Sequence, residues 1–146
     1  MNPVLKGLLE DKIDFVKRMG LTAEVLERGH VELLAPAEGN QNHIGCMYAG
    51  ALFTLAEIPG GALFLTSFDT RQFYPVLKAM NLDFKRPAHG DIRVCAKLSD
   101  AEIERIEAQA RAHGKSAYNL DLALVDSQGQ TVALSHGQYQ LRKIGQ

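Results

Sequence analysis

Long runs of one charge are missing from this chain. Its formal net charge is −1 over 146 residues, with no basic block anywhere, which argues against a nucleic-acid surface as its main role. Cysteine is scarce too: Cys46 and Cys95 stand far apart, with no CxxC spacing and no histidine at a metal-site interval. Two distant cysteines can form a disulfide, but no export signal is visible, so free thiols in the cytoplasm are expected. The opening "NPVLKGLLEDKIDFVKRMG" has charges throughout and lacks the uninterrupted apolar centre of a signal peptide. His30, His43, His89, His113 and His136 show no ligand spacing, so no metal is expected. No repeat, low-complexity tract or linker divides the chain, and its length fits one domain over residues 1–146.

What is present is apolar. Hydrophobic residues make up 46% of the chain and charged residues 23%, the balance of a soluble globular protein. The apolar content concentrates between Ile44 and Phe68, where Glu57 is the only charged side chain. That run is long enough to cross a bilayer. However, an acid near the bilayer centre costs about 2.5–3.5 kcal/mol, Pro59-Gly60-Gly61 follows it, and no Lys/Arg cluster or aromatic belt flanks it. A helix enclosed on nearly all sides inside a soluble protein accounts for the same letters. Ionised carboxylates are almost never fully buried without a partner. Either Arg71, Lys78 or Arg93 neutralises Glu57, or the acid is left partly desolvated and therefore more basic.

The surrounding pattern predicts a helix over residues 3–19, with Pro3 in its first turn and Gly20 at its end. "TAEVLERGHVELLAP" reads as two strands folded at Arg28-Gly29, and "AEGNQNHIG" as loop. The apolar helix follows from about Tyr48 to Thr66, and Pro59 should bend it. Val76, Met80, Leu82 and Phe84 share one face of the next strand at period two, and Ile92, Val94, Ala96 and Leu98 one face of the strand after it. Ser99 and Glu102 form a capping box for a short helix that Gly114 closes. Two final strands meet at Ser127-Gln128-Gly129, with Gly137 marking a bulge. The order predicts an α+β fold in which an antiparallel sheet wraps one long central apolar helix.

The segment "NHIGCMYAGALFTLAE" resembles the active-site segment of hotdog-fold acyl-CoA thioesterases, especially the PaaI-like and 4-hydroxybenzoyl-CoA types. Their pattern is an Asn, two residues, Gly, two residues, then His-Gly-Gly opening a helix, with an acid about two turns further on. Asn42, Gly45 and Gly50 match, and "FTLAE" ends on Glu57 at the acid position. Tyr48-Ala49 replaces the His-Gly pair, and Leu77 falls near a position where some relatives carry a serine. "MNLDFKRPAHGD" is similar to the strand that follows the helix in that family. The order of elements agrees over nearly the whole chain, while the sharp motif covers residues 42–57.

The resemblance implies a hotdog fold that assembles as a homodimer or a dimer of dimers. Two sheets join edge to edge, and Asn42 with the helix start of one chain faces Glu57 of the other. It implies hydrolysis of an acyl-CoA or acyl-carrier-protein thioester, with no cofactor beyond the CoA of the substrate. Glu57 would act as general base or nucleophile. The N–H groups of Ala49 and Gly50 at the helix start would bind the oxyanion. Asn42 would orient the carbonyl or the water, and Tyr48 would donate a phenolic proton. Leu52, Phe53, Ile58, Met80 and Phe84 are candidate acyl-pocket walls, with core packing the default explanation for all of them, and Gly45 and Asn81 are further candidates for substrate contacts. Lys85, Arg86, His89 and Arg93 could receive the CoA phosphates, or simply form a solvated face. The alternative reading is a non-catalytic acyl-CoA or lipid binder in which Tyr48 marks lost chemistry. The segments typical of hotdog hydratases and dehydratases are absent.

Overall fold

A helix of 19 residues, α3 (Ala49–Ser67), forms the centre of the molecule and touches all six strands. The computed structural model describes residues 1–145. Before α3 come α1 (Pro3–Asp11), α2 (Asp14–Met19), β1 (Thr22–Glu27) and β2 (His30–Ala35). After it come β3 (Phe73–Phe84), β4 (Ile92–Lys97), α4 (Asp100–His113), β5 (Lys115–Val125) and β6 (Thr131–Lys143). The strands form one antiparallel sheet in the order β1-β2-β4-β5-β6-β3, curled around α3. This is the α+β layer expected from the apolar run. By length and composition alone α3 could cross a membrane, but Leu55, Ala56, Ala62 and Leu63 are wholly buried against the protein's own sheet. Each leucine so buried contributes about 1.5–3 kcal/mol.

Local chemistry explains most element ends. Asn2 caps α1 by accepting from the N–H groups of Val4 and Leu5. The Ser99 hydroxyl accepts from Glu102 N at the start of α4, and Gly114, in left-handed backbone, ends it by donating to Ala110 O. Ile103, Ile106 and Ala110 form the buried stripe of α4.

Three expectations need correction. The first helix is two helices. Ile13 is extended (φ −97°, ψ 115°) and exposed rather than buried between helical neighbours. Second, a bulge between Leu77 and Ala79 reverses the parity of β3. Leu77 therefore shares the helix-facing side with Met80, Leu82 and Phe84, whose β6 partners are Tyr139, Gly137, Ser135 and Ala133, and Val76 points the other way. Third, Gly137 pairs in regular register with Met80 and Leu120 and forms no bulge. Its missing side chain instead makes room for the Tyr139 ring and the Met80 methyl.

Pro59 does not interrupt α3. Beside it, the Tyr139 ring presses against Gly60, where any side chain would collide with the ring. The phenol donates to the carbonyl of Glu57 at 3.1 Å. Tyr139 also stacks on Tyr118, with centroids 5.3 Å apart. The middle of α3 is thus tied to β6 at the backbone carbonyl of the acid itself.

Candidate active site

Glu57 is half-buried on α3. Among the described residues its carboxylate has no ion-pair or hydrogen-bond partner. Arg71 pairs with Asp69, and Arg93 with Glu24 at 2.8 Å. Lys78, an exposed residue of the β3 bulge, makes no ion pair within the described residues. With no cation to oppose it, burial pushes the Glu57 carboxyl above its ordinary value. The side chain opens onto two adjoining clefts, one between Phe53, Thr54 and Leu77, the other between Leu8, Phe64, Leu65 and Pro75. The acid at the centre of the apolar run is therefore unpaired, partly desolvated and reachable.

The start of α3 lies two turns before it. Tyr48 caps the helix in extended backbone without a side-chain hydrogen bond, and its carbonyl accepts from Ala51 and Leu52. The N–H groups of Ala49 and Gly50 have no acceptor among the described residues, the ordinary condition of a first helical turn. Such amides, with the positive end of the helix, can receive an oxyanion. The Tyr48 ring, however, lies directly over Gly50, close enough that a methyl group there would clash. Gly50 thus accommodates the neighbouring phenyl ring, and the tyrosine is 59% exposed above the first turn.

Asn42 builds the preceding loop. Its side-chain oxygen accepts from Ile44 N at 3.0 Å and Cys46 N at 3.1 Å, and its own N–H donates to Cys46 O. Only the Nδ2 hydrogens are left to meet a ligand. Gly45 (φ 83°) supplies the left-handed turn that brings Cys46 back to Asn42. Met47 N donates to Ala88 O, fixing the segment after β3 beside the helix start. That contact brings the exposed His89 close to the helix start, while Lys85 and Arg86, also exposed, donate their backbone N–H groups to Val132 O at the end of β3. His89 also faces Cys46 at 4.0 Å.

The remaining candidates divide by position. Phe53 lines the cleft at Glu57, whereas Leu52 is buried in the core. Met80 and Phe84 lie on the helix side of β3, Phe84 at its exposed end. Asn81 pairs with His136 on the opposite side of the sheet and is not brought together with Glu57. Arg93 pairs with Glu24 on the surface of the sheet.

Sequence reasoning missed two features. The walls contributed by α1 and α2, with Leu8, Ile13 and Phe15, turn Glu57's surroundings into clefts. The exposed apolar residues of the N-terminal pattern were the available signal. The other is a cluster on the outer side of the sheet. His30, Glu32 and Cys95 place donor atoms within 4.8 Å of one another, because the register sets Glu32 opposite Cys95. Spacing along the chain cannot reveal a cross-strand set of this kind.

The fold defined by this geometry is the hotdog fold, a curled antiparallel sheet around a central helix. Residues 3–141 match the family described as a domain of unknown function, DUF4442, and the chain belongs to that family. A solved Pseudomonas aeruginosa structure, of a protein of unknown function described as a probable thioesterase, is 58% identical, with 96% of this chain and 94% of that one covered and a TM-score of 0.93. A thioesterase from the same organism, solved as a Q49A mutant, is 18% identical over 99% of this chain and 97% of that one, with a TM-score of 0.74. A Haemophilus influenzae thioesterase is 15% identical over 97% of this chain and 90% of that one, with a TM-score of 0.72. The last two are likenesses of fold. No curated protein matches the chain.

Proposed function

We propose that the protein hydrolyses an acyl thioester of CoA or an acyl carrier protein, with Glu57 as general base. The observation that carries this reading is the unpaired, half-buried carboxylate opening onto two clefts. A raised carboxyl is a better acceptor of a water proton near neutral pH. Water, deprotonated by Glu57, adds to the thioester carbonyl, and the carbonyl electrons move to oxygen. The free N–H groups of Ala49 and Gly50 receive that oxyanion, and the Nδ2 hydrogens of Asn42 hold the carbonyl. When the tetrahedral adduct collapses, the C–S bond breaks and the thiolate takes the proton from Glu57. Direct attack by the carboxylate through an anhydride uses the same residues.

The helix start and the acid of one protomer are two turns apart on the same helix, so the reading takes the oxyanion donors from a second protomer paired along β3. Likeness to the Pseudomonas aeruginosa protein described as a probable thioesterase supports the activity. Lys85, Arg86 and His89, exposed in the segment that follows β3, are suited to the phosphates of CoA. The reaction needs no cofactor beyond the substrate itself.

Thiol release from a panel of acyl-CoAs tests the assignment: Glu57→Gln should abolish turnover in a folded protein, and retained activity rejects it. The Tyr48 ring against Gly50 favours a second reading, a binder of acyl-CoA without turnover, because a bulky ring takes up space beside the helix start. Binding by the wild type with no thiol release would select that reading.

A further inference from the structure

A groove runs along α3 beneath the N-terminal helices, and Glu57 divides it into two arms. The near arm, about 320 Å³, lies toward the start of α3 between Phe15, Phe53, Thr54 and Leu77. The far arm, about 250 Å³, lies between Leu8, Ile13, Phe64, Leu65 and Pro75. Ile13, Glu57 and Ile58 line both, so the arms meet at the carboxylate. Past Phe15, which lines both the near arm and the hollow beyond, the track reaches a space of about 140 Å³ whose walls are mixed, Asn40, Gln41 and Tyr48 standing beside Met19 and Ala51. Both arms are mainly apolar on either side of Glu57, and polar groups other than Lys12 and Thr54 enter the track only past the near arm, beside the start of α3.

Gly61 forms the floor of the far arm. A side chain built there meets no atom within 4 Å, in contrast to Gly60 next to it, which Tyr139 requires to be glycine. Glycine inside a helix is less favourable than alanine, and nothing in the protein's own packing demands this one. Its missing side chain leaves the arm open. From Glu57 to Leu65 the helix advances about 12 Å, a length suited to an acyl chain of medium size.

We propose that the arm floored by Gly61 holds the tail of an aliphatic acyl thioester, with the carbonyl at Glu57 and the polar carrier portion running toward the start of α3. The two halves of such a ligand differ in polarity as the two ends of the groove do. A hydroxyaryl acyl group is the poorer occupant: only Lys12 and Glu57 offer polar side-chain atoms in this arm, and a hydroxyl buried among the other walls would lack a partner at a cost. The identity of the occupant rests on the thioester reading; the shape and polarity of the groove do not.

Wild type and Gly61→Leu are compared on acetyl-CoA and octanoyl-CoA by thiol release. Binding of the non-hydrolysable octanoyl thioether of CoA is measured by calorimetry. Each buried methylene contributes about a fourfold factor in affinity, so the octanoyl-to-acetyl ratio of kcat/KM and the thioether affinity should both fall about tenfold or more. Leu8→Asp, a charge at an exposed lip of the arm, should shift both in the same direction, and it decides the matter if Gly61→Leu does not fold. If the octanoyl-to-acetyl ratio is unchanged, or if 4-hydroxybenzoyl-CoA is preferred to octanoyl-CoA, the groove assignment is overturned while hydrolysis stands. If the wild type binds the thioether without hydrolysing any thioester and Gly61→Leu loses that binding, the groove stands and the hydrolase reading fails. Neither binding nor turnover in the wild type overturns both.

Discussion

Replacing Gly60 by alanine puts a methyl group into the ring of Tyr139, whereas the same change at Gly61 puts one into open space. Both substitutions gain about 0.5–1 kcal/mol from restricting the unfolded chain and favouring helix. At Gly60 that gain is opposed by overpacking, by loss of the Tyr139 hydrogen bond to the Glu57 carbonyl, and by a disturbed Tyr118–Tyr139 stack. Taking ordinary values for those three effects, Gly60→Ala should destabilise by about 1–5 kcal/mol net. Gly61→Ala should stabilise by about 0.5–1 kcal/mol. Urea unfolding at one fixed protein concentration reads both, and the midpoints should move in opposite directions at unchanged slope. In thermal melts the shift is about 2–4 °C for each kcal/mol. Two midpoints moving the same way would refute the packing argument, and with it the claim that Gly61 is free of structural duty.

Glu57→Gln should lower thiol release about 10²–10⁴-fold, and the wild-type rate should rise with pH through a midpoint above the ordinary value of 4.5 for this carboxyl. Burial makes the native state keep the Glu57 proton longer than the unfolded chain does, so stability declines as pH rises from the ordinary carboxyl value through the raised one and is level above it. Glu57→Gln should therefore be the more stable protein at pH 7, with the gap closing below pH 4.5; a wild type more stable than the variant at neutral pH would contradict the desolvation argument. Ser135, wholly buried with a hydroxyl that has no partner among the described residues, should give a protein about 1 kcal/mol more stable when changed to alanine, and a destabilised Ser135→Ala by urea unfolding would show that the hydroxyl has a partner. Ser99→Ala should cost about 1 kcal/mol through the lost cap of α4, read from the same transition.

The central helix was legible because apolar residues ran without interruption across far more than one face, which only an enclosed helix can satisfy. The caps of α4 were legible because Ser99, Glu102 and Gly114 act through neighbours in the chain. Glu57 stood out for the same kind of reason, as one charge among hydrocarbon. What escaped the sequence depended on partners far away. Leu8, Leu9, Ile13 and Val16 fit one continuous helical period, so nothing local announced the break after Lys12; Glu10 accepting from Ala23 N at 2.8 Å ties α1 to β1 before the chain turns into α2. The bulge at Leu77–Ala79 moved Val76 off the face that period-two counting gave it. Gly137 carried a real signal that was assigned the wrong cause, since its neighbour Tyr139 needs the space. The grooves beside Glu57 exist only because the two short helices lie across α3, and no motif in either helix encodes that.

The sheet has two edges, and they are built differently. At β1 the edge is blunted: a bulge lies between Ala23 and Val25, and α1 packs against the strand with Glu10 accepting the Ala23 N–H. At β3 the edge is 12 residues long, pairs among the described residues with β6 alone, and exposes Tyr74 near one end and Phe84 at the other. A long open edge with aromatic residues at its ends invites pairing with another strand. In a two-fold arrangement the Tyr74 end of one copy meets the Phe84 end of its partner, so each aromatic residue gains a neighbour. Sedimentation should therefore give a homodimer, and the β3 amides that point away from β6 should exchange with solvent far more slowly than those of an exposed edge. Dilution to monomer should speed exchange of those amides and abolish thiol release together, because a helix start and a carboxylate two turns apart on one helix cannot close on the same carbonyl. A protein that stays monomeric at working concentration, with fast-exchanging β3 amides and full hydrolase activity, would rule out the two-protomer site and require the oxyanion donors to come from elsewhere in the same chain.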